Sequence, residues 1–229
     1  MYYYIEDKAF LKPMRGTCSD IINQLVQQIN KGPEMKVQAH LIGSGAKNLI
    51  TQNEKLPVDL DYNLCIIKTA LQRGRDIREY IRKQFNAVLK ANGWGDCHDS
   101  TSVFTTEYRH FKKGNQTKFK IDLAITRYYN GSWQRLIHQK TGIVCMDPYI
   151  WNQVPNSHHL DEKVQFLKSN GLWLELRETY RSKKNMYQKR NDTNHPSFIV
   201  YIESVNEVYS KYNPLGISRQ SRISLQIRR

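Results

Sequence analysis

Apolar residues along this chain recur with two periods, and the switches between them lay out its elements. Ile21, Ile22, Leu25, Val26 and Ile29 share one face at helical spacing, which predicts a packing helix over residues 19–31 with Ser19 as N-cap and Gly32-Pro33 as stop. Val37, Ala39 and Leu41 then alternate through KVQAHLI, residues 36–42, as in a strand that runs into the turn Gly43-Ser44-Gly45. VDLDYNLCII, residues 58–67, reads as a second strand. Ile77, Ile81, Phe85, Val88 and Leu89 restore the helical period between Arg75 and Asn92, where Asn92-Gly93 supplies the stop. Residues 101–110 are β-rich, FKKGNQT makes a glycine-containing turn, and KFKIDLAIT, residues 118–126, completes a predicted hairpin.

An aromatic and proline-bearing connector around Met146 to Pro155 precedes three helix-like stretches, Leu160 to Ser169, Leu172 to Lys189 and Ser197 to Tyr212. That change of composition predicts a domain over residues 1–150, a helical lobe over 151–212 and a basic tail over 213–229. The tail has four arginines and no acid; Ile223, Leu225 and Ile227 alternate well enough for an added strand.

Composition narrows the chemistry. Lys and Arg total 35 against 21 Asp and Glu, a formal charge of +14, which favours polyanionic partners through long-range attraction and counterion release. Cys18, Cys65, Cys97 and Cys145 form no CxxC pair, so neither a zinc site nor a disulfide framework is signalled. Glu6, Asp7 and Lys8 stand where a signal peptide needs an apolar run, and no segment reaches membrane-spanning length, so a soluble cytoplasmic protein is expected.

Asp59 and Asp61 are one residue apart, and alternation along a strand sends both carboxylates to one side. Two carboxylates so close raise each other's pKa unless a cation lies between them, and Mg²⁺, a hard ion that keeps positions open for water and phosphate, suits them. Asp122 faces away from Ile121 and Leu123 in its own strand. If that strand neighbours the Asp59/Asp61 strand, three carboxylates converge, enough to hold two metal ions about 4 Å apart, with Mn²⁺ as the alternative to Mg²⁺. Gly43 lets the backbone approach a phosphate, and Ser44 offers a hydroxyl and an amide.

In that order, "LIGSG", "VDLDYNL" and "KIDLAI" resemble the nucleotidyltransferase superfamily of DNA polymerase beta type over roughly residues 17–126. The resemblance implies an α+β fold, a mixed sheet flanked by helices and followed by a small helical lobe. It also implies that Gly43 and Ser44 bind NTP phosphates, Asp59 and Asp61 both metals, and Asp122 the catalytic metal while assisting deprotonation of the acceptor. The interval from Ser44 to Asp59 is longer than the family's, and no Gly-Thr follows the turn. Residues 178–205 resemble the second lobe of the poly(A) polymerase, oligoadenylate synthase and cyclic-oligonucleotide synthase branch. On that likeness Lys183 or Lys184 grips the triphosphate, Ser197 bonds a phosphate and Phe198 stacks on the base; a solvated helix face and a core aromatic are the other reading of the same residues.

The expected function is Mg²⁺-dependent transfer of a nucleoside monophosphate from an NTP to a hydroxyl, with release of pyrophosphate. The basic charge favours RNA or a nucleotide as acceptor over a cationic antibiotic. A synthase of a cyclic or linear oligonucleotide signal, a non-catalytic nucleic-acid-binding module, and transfer to a protein hydroxyl are the alternatives.

Overall fold

The computed structural model describes residues 1–54, 56–154, 159–192 and 195–214. The chain divides into two compact units, one of residues 3–155 and one of residues 1–2 and 156–229.

The larger unit is built on a mixed sheet. Its strands are β2 (Met35–Leu41), β4 (Val58–Thr69), β5 (His98–Asp99), β6 (Phe104–Thr105), β7 (Phe119–Tyr129), β8 (Ser132–His138) and β9 (Tyr149–Gln153). The order is β2-β4-β7-β6-β5, with β8 beside β7 and β9 beside β8. β1 (Tyr2–Tyr4) and β3 (Thr51–Asn53) form a separate two-stranded ladder. The central pair, β4 and β7, is parallel, and its register sets Asp59 opposite Lys120, Leu60 opposite Ile121 and Asp61 opposite Asp122. Val58, Leu60, Tyr62 and Leu64 alternate with Phe119, Ile121, Leu123 and Ile125 on one face, where all are buried. Helices α1 (Lys8–Lys31) and α3 (Gly74–Ala91) add Phe10, Met14, Cys18, Ile22, Leu25, Ile81 and Phe85 to the same core. At roughly 1.5–3 kcal/mol for each large apolar side chain removed from water, this layer fixes which face is inward, and the aspartates are left on the other.

Three local expectations need correction. Helix α1 begins at Lys8, capped by the Asp7 carboxylate accepting from the Phe10 amide at 3.1 Å, rather than at Ser19. Phe10, Met14 and Cys18 extend the buried stripe at intervals of four residues, and the Ser19 hydroxyl lies 3.1 Å from the Tyr62 hydroxyl instead of capping. The hairpin leading to β7 has a first strand of only Phe104 and Thr105, with a bridge between Arg109 and Phe119. The connector around Met146–Pro155 contains strand β9, which pairs with β8 and places Tyr149–Gln153 in the sheet.

The smaller unit contains α4 (Leu160–Ser169), α5 (Trp173–Lys189) and α6 (Ser197–Tyr212), matching the helix-like stretches. Leu167, Leu176, Tyr180, Val200, Val205 and Val208 form its buried centre, and Phe166 meets Tyr209 edge-on at 5.1 Å. Residues 215–229, including Ile223, Leu225 and Ile227 of the tail, lie outside the described residues. Among the described residues no helix is long and apolar enough to cross a membrane.

A buried polar network ties α3 to the far strands. Arg78 is 2% exposed; its Nε and Nη2 donate to Asp99 Oδ1 at 2.9 and 2.6 Å, and Nη1 donates to the Leu136 carbonyl at 3.3 Å. The other Asp99 oxygen lies 3.0 Å from His138 Nδ1, and His138 Nε2 lies 2.8 Å from Asp147, while Tyr149 stacks on the His138 ring at 4.4 Å. Hydrogen bonds from the Thr141 amide, His138 and the Thr141 hydroxyl hold the Asp147 carboxyl down at about 2. Arg78→Met would leave the partly buried Asp99 beside His138 without its guanidinium partner, and is expected to cost about 3 kcal/mol in urea unfolding; an unchanged midpoint would show that the network does not hold the strands.

Candidate active site

Seven residues after the end of β2 the chain has turned through α2 (Gly43–Lys47) and left-handed Asn48, so the glycine-serine turn sits beside β4. The Ile42 amide donates to the Asp61 carbonyl at 2.8 Å, which anchors the turn to the strand carrying both aspartates. Gly43 has φ +61, and a Cβ there would meet Asp61 Oδ2 at 2.6 Å. Gly45 is constrained differently, because its Cβ would fall 2.8 Å from Leu60 Cδ2. One glycine thus clears the Asp61 carboxylate and the other lets the turn pack on the core, while Ser44 sits between them.

The parallel register brings the three predicted carboxylates to one face on adjacent strands. The Asp59 side chain is 47% exposed, whereas that of Asp122 is 16% exposed and its Oδ1 accepts from the Thr105 hydroxyl at 2.7 Å. Burial, then the charges of Asp122 and Asp59, push the Asp61 carboxyl up to about 6. The sequence reading passed over Lys120, which alternation places on the same face two residues before Asp122. Its ammonium lies 3.4 Å from Asp59 Oδ1 and 3.5 Å from Asp122 Oδ2. Burial opposes the charge on Lys120, but Asp59 and Asp122 outweigh it and raise the lysine above its ordinary value. Arg135 on β8 is a second cation missed from sequence; burial lowers its pKa and the charge of Asp61 acts against that. Asn130-Gly131, both at positive φ between β7 and β8, is the two-residue hairpin signal that would have located the strand.

Among the described residues no three acidic, histidine or cysteine side chains form a ready-made metal cage. The donor set nevertheless suits Mg²⁺, which is held by one or two carboxylates with water and substrate phosphate completing the shell. The raised Asp61 and the ammonium drawn between Asp59 and Asp122 both mark surplus negative charge at this place.

Lys183, Lys184, Ser197 and Phe198 all belong to the smaller unit. Lys183 pairs with Glu207 at 2.8 Å, and the Lys184 ammonium lies 3.9 Å from the centre of the Tyr2 ring. Ser197 is the first residue of α6, behind Pro196, and Phe198 is 39% exposed.

Two outcomes follow for the larger unit. Gly43→Ala forces an alanine into the left-handed region and against Asp61, and is expected to cost about 1–3 kcal/mol in chemical unfolding. The folded chain holds the Asp61 proton more tightly than the unfolded chain does, so this group removes stability as pH rises from about 4 to about 6. Asp61→Asn is therefore expected to raise the thermal unfolding midpoint in chelator above pH 6 and to leave it unchanged near pH 4; equal shifts at both would contradict the assignment.

No protein-family model matches the chain, and no curated protein does. Solved structures do. The Vibrio cholerae DncV cyclic AMP-GMP synthase, in complex with the linear intermediate 5′ pppA(3′,5′)pG, is 10% identical with a TM-score of 0.55, covering 90% of this chain and 69% of its own. E. coli CdnC with ATP is 14% identical with a TM-score of 0.54, over 89% of this chain and 65% of its own. The same protein in a CdnC:HORMA-deltaN complex gives 16% identity, a TM-score of 0.52, 85% of this chain and 57% of that one. Against the two CdnC structures the chain spans 57% and 65% of the relative's length. The chain shares the fold of these structures, a mixed sheet flanked by helices.

Proposed function

We propose that this protein transfers a nucleoside monophosphate from an NTP to a hydroxyl acceptor and releases pyrophosphate. The observation that carries the reading is the register of β4 and β7, which sets Asp61 opposite Asp122 with Asp59 on the same face and the Gly43-Ser44 turn against Asp61. Divalent metal, Mg²⁺ or Mn²⁺, held by Asp59, Asp61 and Asp122, would neutralise charge on the triphosphate and lower the pKa of the attacking hydroxyl. The backbone of Gly43 and the Ser44 hydroxyl bind the phosphates. Asp122, oriented by the Thr105 hydroxyl through one oxygen, assists removal of the acceptor proton. The acceptor oxygen then forms a bond to the α-phosphorus as the bond to pyrophosphate breaks. Nucleotide contacts by Lys183, Lys184, Ser197 and Phe198 belong to the same proposal and rest on the sequence resemblance alone.

RNA or a nucleotide is the acceptor class that the charge of +14 favours. Synthesis of a cyclic or linear oligonucleotide is the second reading, favoured by the fold shared with a cyclic AMP-GMP synthase. Incubation with each α-labelled NTP, with and without Mg²⁺ and RNA, separates these by whether label enters RNA or a small product. Asp59→Asn or Asp122→Asn is expected to abolish Mg²⁺-dependent turnover while circular dichroism and the unfolding midpoint show a folded protein; a variant at the wild-type rate would refute the reading.

A further inference from the structure

The aspartate face is closed beyond Asp122 in one direction along β7 and opens in the other. Ala124 and Thr126 follow Asp122 on that face and are 2% and 1% exposed. Toward the start of β7 exposure rises instead, from the side chains of Asp122 at 16% and Lys120 at 19% to Asp59 at 47% and an exposed Lys118. The Val58 amide donates to the Lys118 carbonyl at 2.8 Å, so the ladder still holds at residue 118, and alternation sets Lys118 on the face of Lys120 and Asp122. Its ammonium lies 5.4 Å from the centre of the Tyr108 ring, and Tyr108 is 58% exposed. The residues on either side of Tyr108 turn toward the segment after α3: Arg109 lies over the Trp94 ring at 5.1 Å, and the Glu107 carboxylate is 2.6 Å from where a Cβ on Gly95 would be. Phe111, with ring centres 6.0 Å from Phe10 and 5.2 Å from Phe119, anchors the segment that presents Tyr108. Lys120 is paired with Asp59 and Asp122, whereas no carboxylate pairs with Lys118 among the described residues.

We propose that Tyr108 and Lys118 seat the acceptor as a nucleotide, its base stacked on the tyrosine ring and a phosphate on the lysine; this rests on the nucleotidyl-transfer reading above. In-line displacement puts the attacking oxygen on the far side of the α-phosphorus from the departing pyrophosphate. The Gly43-Ser44 turn, which binds the triphosphate in that reading, is anchored to β4 at Asp61 on the side of β2, and Tyr108 follows β6 on the other flank of β7. The acceptor therefore approaches from the β6 side, and the surface buried at Ala124 and Thr126 directs the rest of it toward Lys118. Four residues separate Lys118 from Asp122, about 13 Å at strand rise, a gap shared between a lysine side chain and the length of one nucleotide. An exposed aromatic ring stacks on any base, and an ammonium without a carboxylate partner takes a phosphate as a point charge. A protein hydroxyl as acceptor would bring neither base nor phosphate to these two side chains.

The test is binding of a 5′-fluorescein-labelled oligoadenylate with a free 3′-hydroxyl, followed by anisotropy without NTP or metal and challenged with unlabelled AMP. Wild type is expected to bind the strand; displacement by AMP shows that a free nucleotide fills the seat, and resistance to AMP shows that the seat takes a strand end. Tyr108→Ala is expected to weaken binding by about fivefold or more, and Tyr108→Phe, which keeps the ring, to restore it. Lys118→Gln is expected to lower the slope of log affinity against log salt by about 0.7, the value for one phosphate on a single strand. No binding by wild type, or equal affinity in Tyr108→Ala, would overturn the proposal. So would a Tyr108→Ala variant that loses affinity for ATP with Mg²⁺ and keeps its affinity for the strand, because the ring would then serve the donor. Asp122→Asn is expected to keep strand binding while losing turnover. Binding through Tyr108 without transfer from any NTP would fail the nucleotidyl-transfer reading alone, whereas transfer at the wild-type rate by Tyr108→Ala with unchanged affinity would fail the acceptor seat alone.

Discussion

Parallel pairing of β4 with β7 is the constraint on which the rest of the molecule depends. It sets two carboxylates opposite one another on neighbouring strands, where like charges destabilise the pair. The hydrophobic layer beneath leaves no alternative: Leu60, Ile121 and Leu123 are fully buried, and a shift of either strand by one residue would exchange them with the acids. Apolar burial on one face thus fixes an electrostatically costly arrangement on the other. Lys120 offsets part of that cost by reaching toward both Asp59 and Asp122, while burial and the charges of Asp122 and Asp59 push the Asp61 carboxyl up.

That division gives the lysine a definite position in the chemistry of the face. An ammonium 3.4 Å from one carboxylate and 3.5 Å from the other offsets their mutual repulsion, so the acids are kept close together. The Thr105 hydroxyl acts on the remaining oxygen of Asp122 and restricts its rotation. Gly43 completes the arrangement from the turn side by having no side chain where the Asp61 oxygen lies. Each of these contacts orients a carboxylate without neutralising it for good.

Much of this was legible in the sequence, because it follows from local periodicity. Alternation alone puts Asp59 and Asp61 on one side and Asp122 opposite Ile121, and the helical stripes of α3, α5 and α6 were readable at their true positions. The start of α1 was not, since Pro13 interrupts the helical pattern and hides the stripe that Phe10, Met14 and Cys18 share with Ile22. Lys120 needed no structure to find; the same alternation that singled out Asp122 includes it. Arg78, Asp99, His138 and Asp147 are different in kind. Their partners lie tens of residues apart, no motif links them, and Asp99 and His138 look like surface polar residues until the fold closes over them.

The turn between β7 and β8 bears on how the chain reaches this structure. Asn130 and Gly131 both adopt positive φ, the geometry that matches the natural twist of two strands, and they join Tyr129 to Ser132 directly. Closing such a short loop loses little chain entropy and takes microseconds, whereas β4 and β7 are separated by a helix and two short strands. The register of the strand bearing Asp122 is thus set on one side by a neighbour only two residues away, and on the other by β4, whose pairing must span a helix and two short strands.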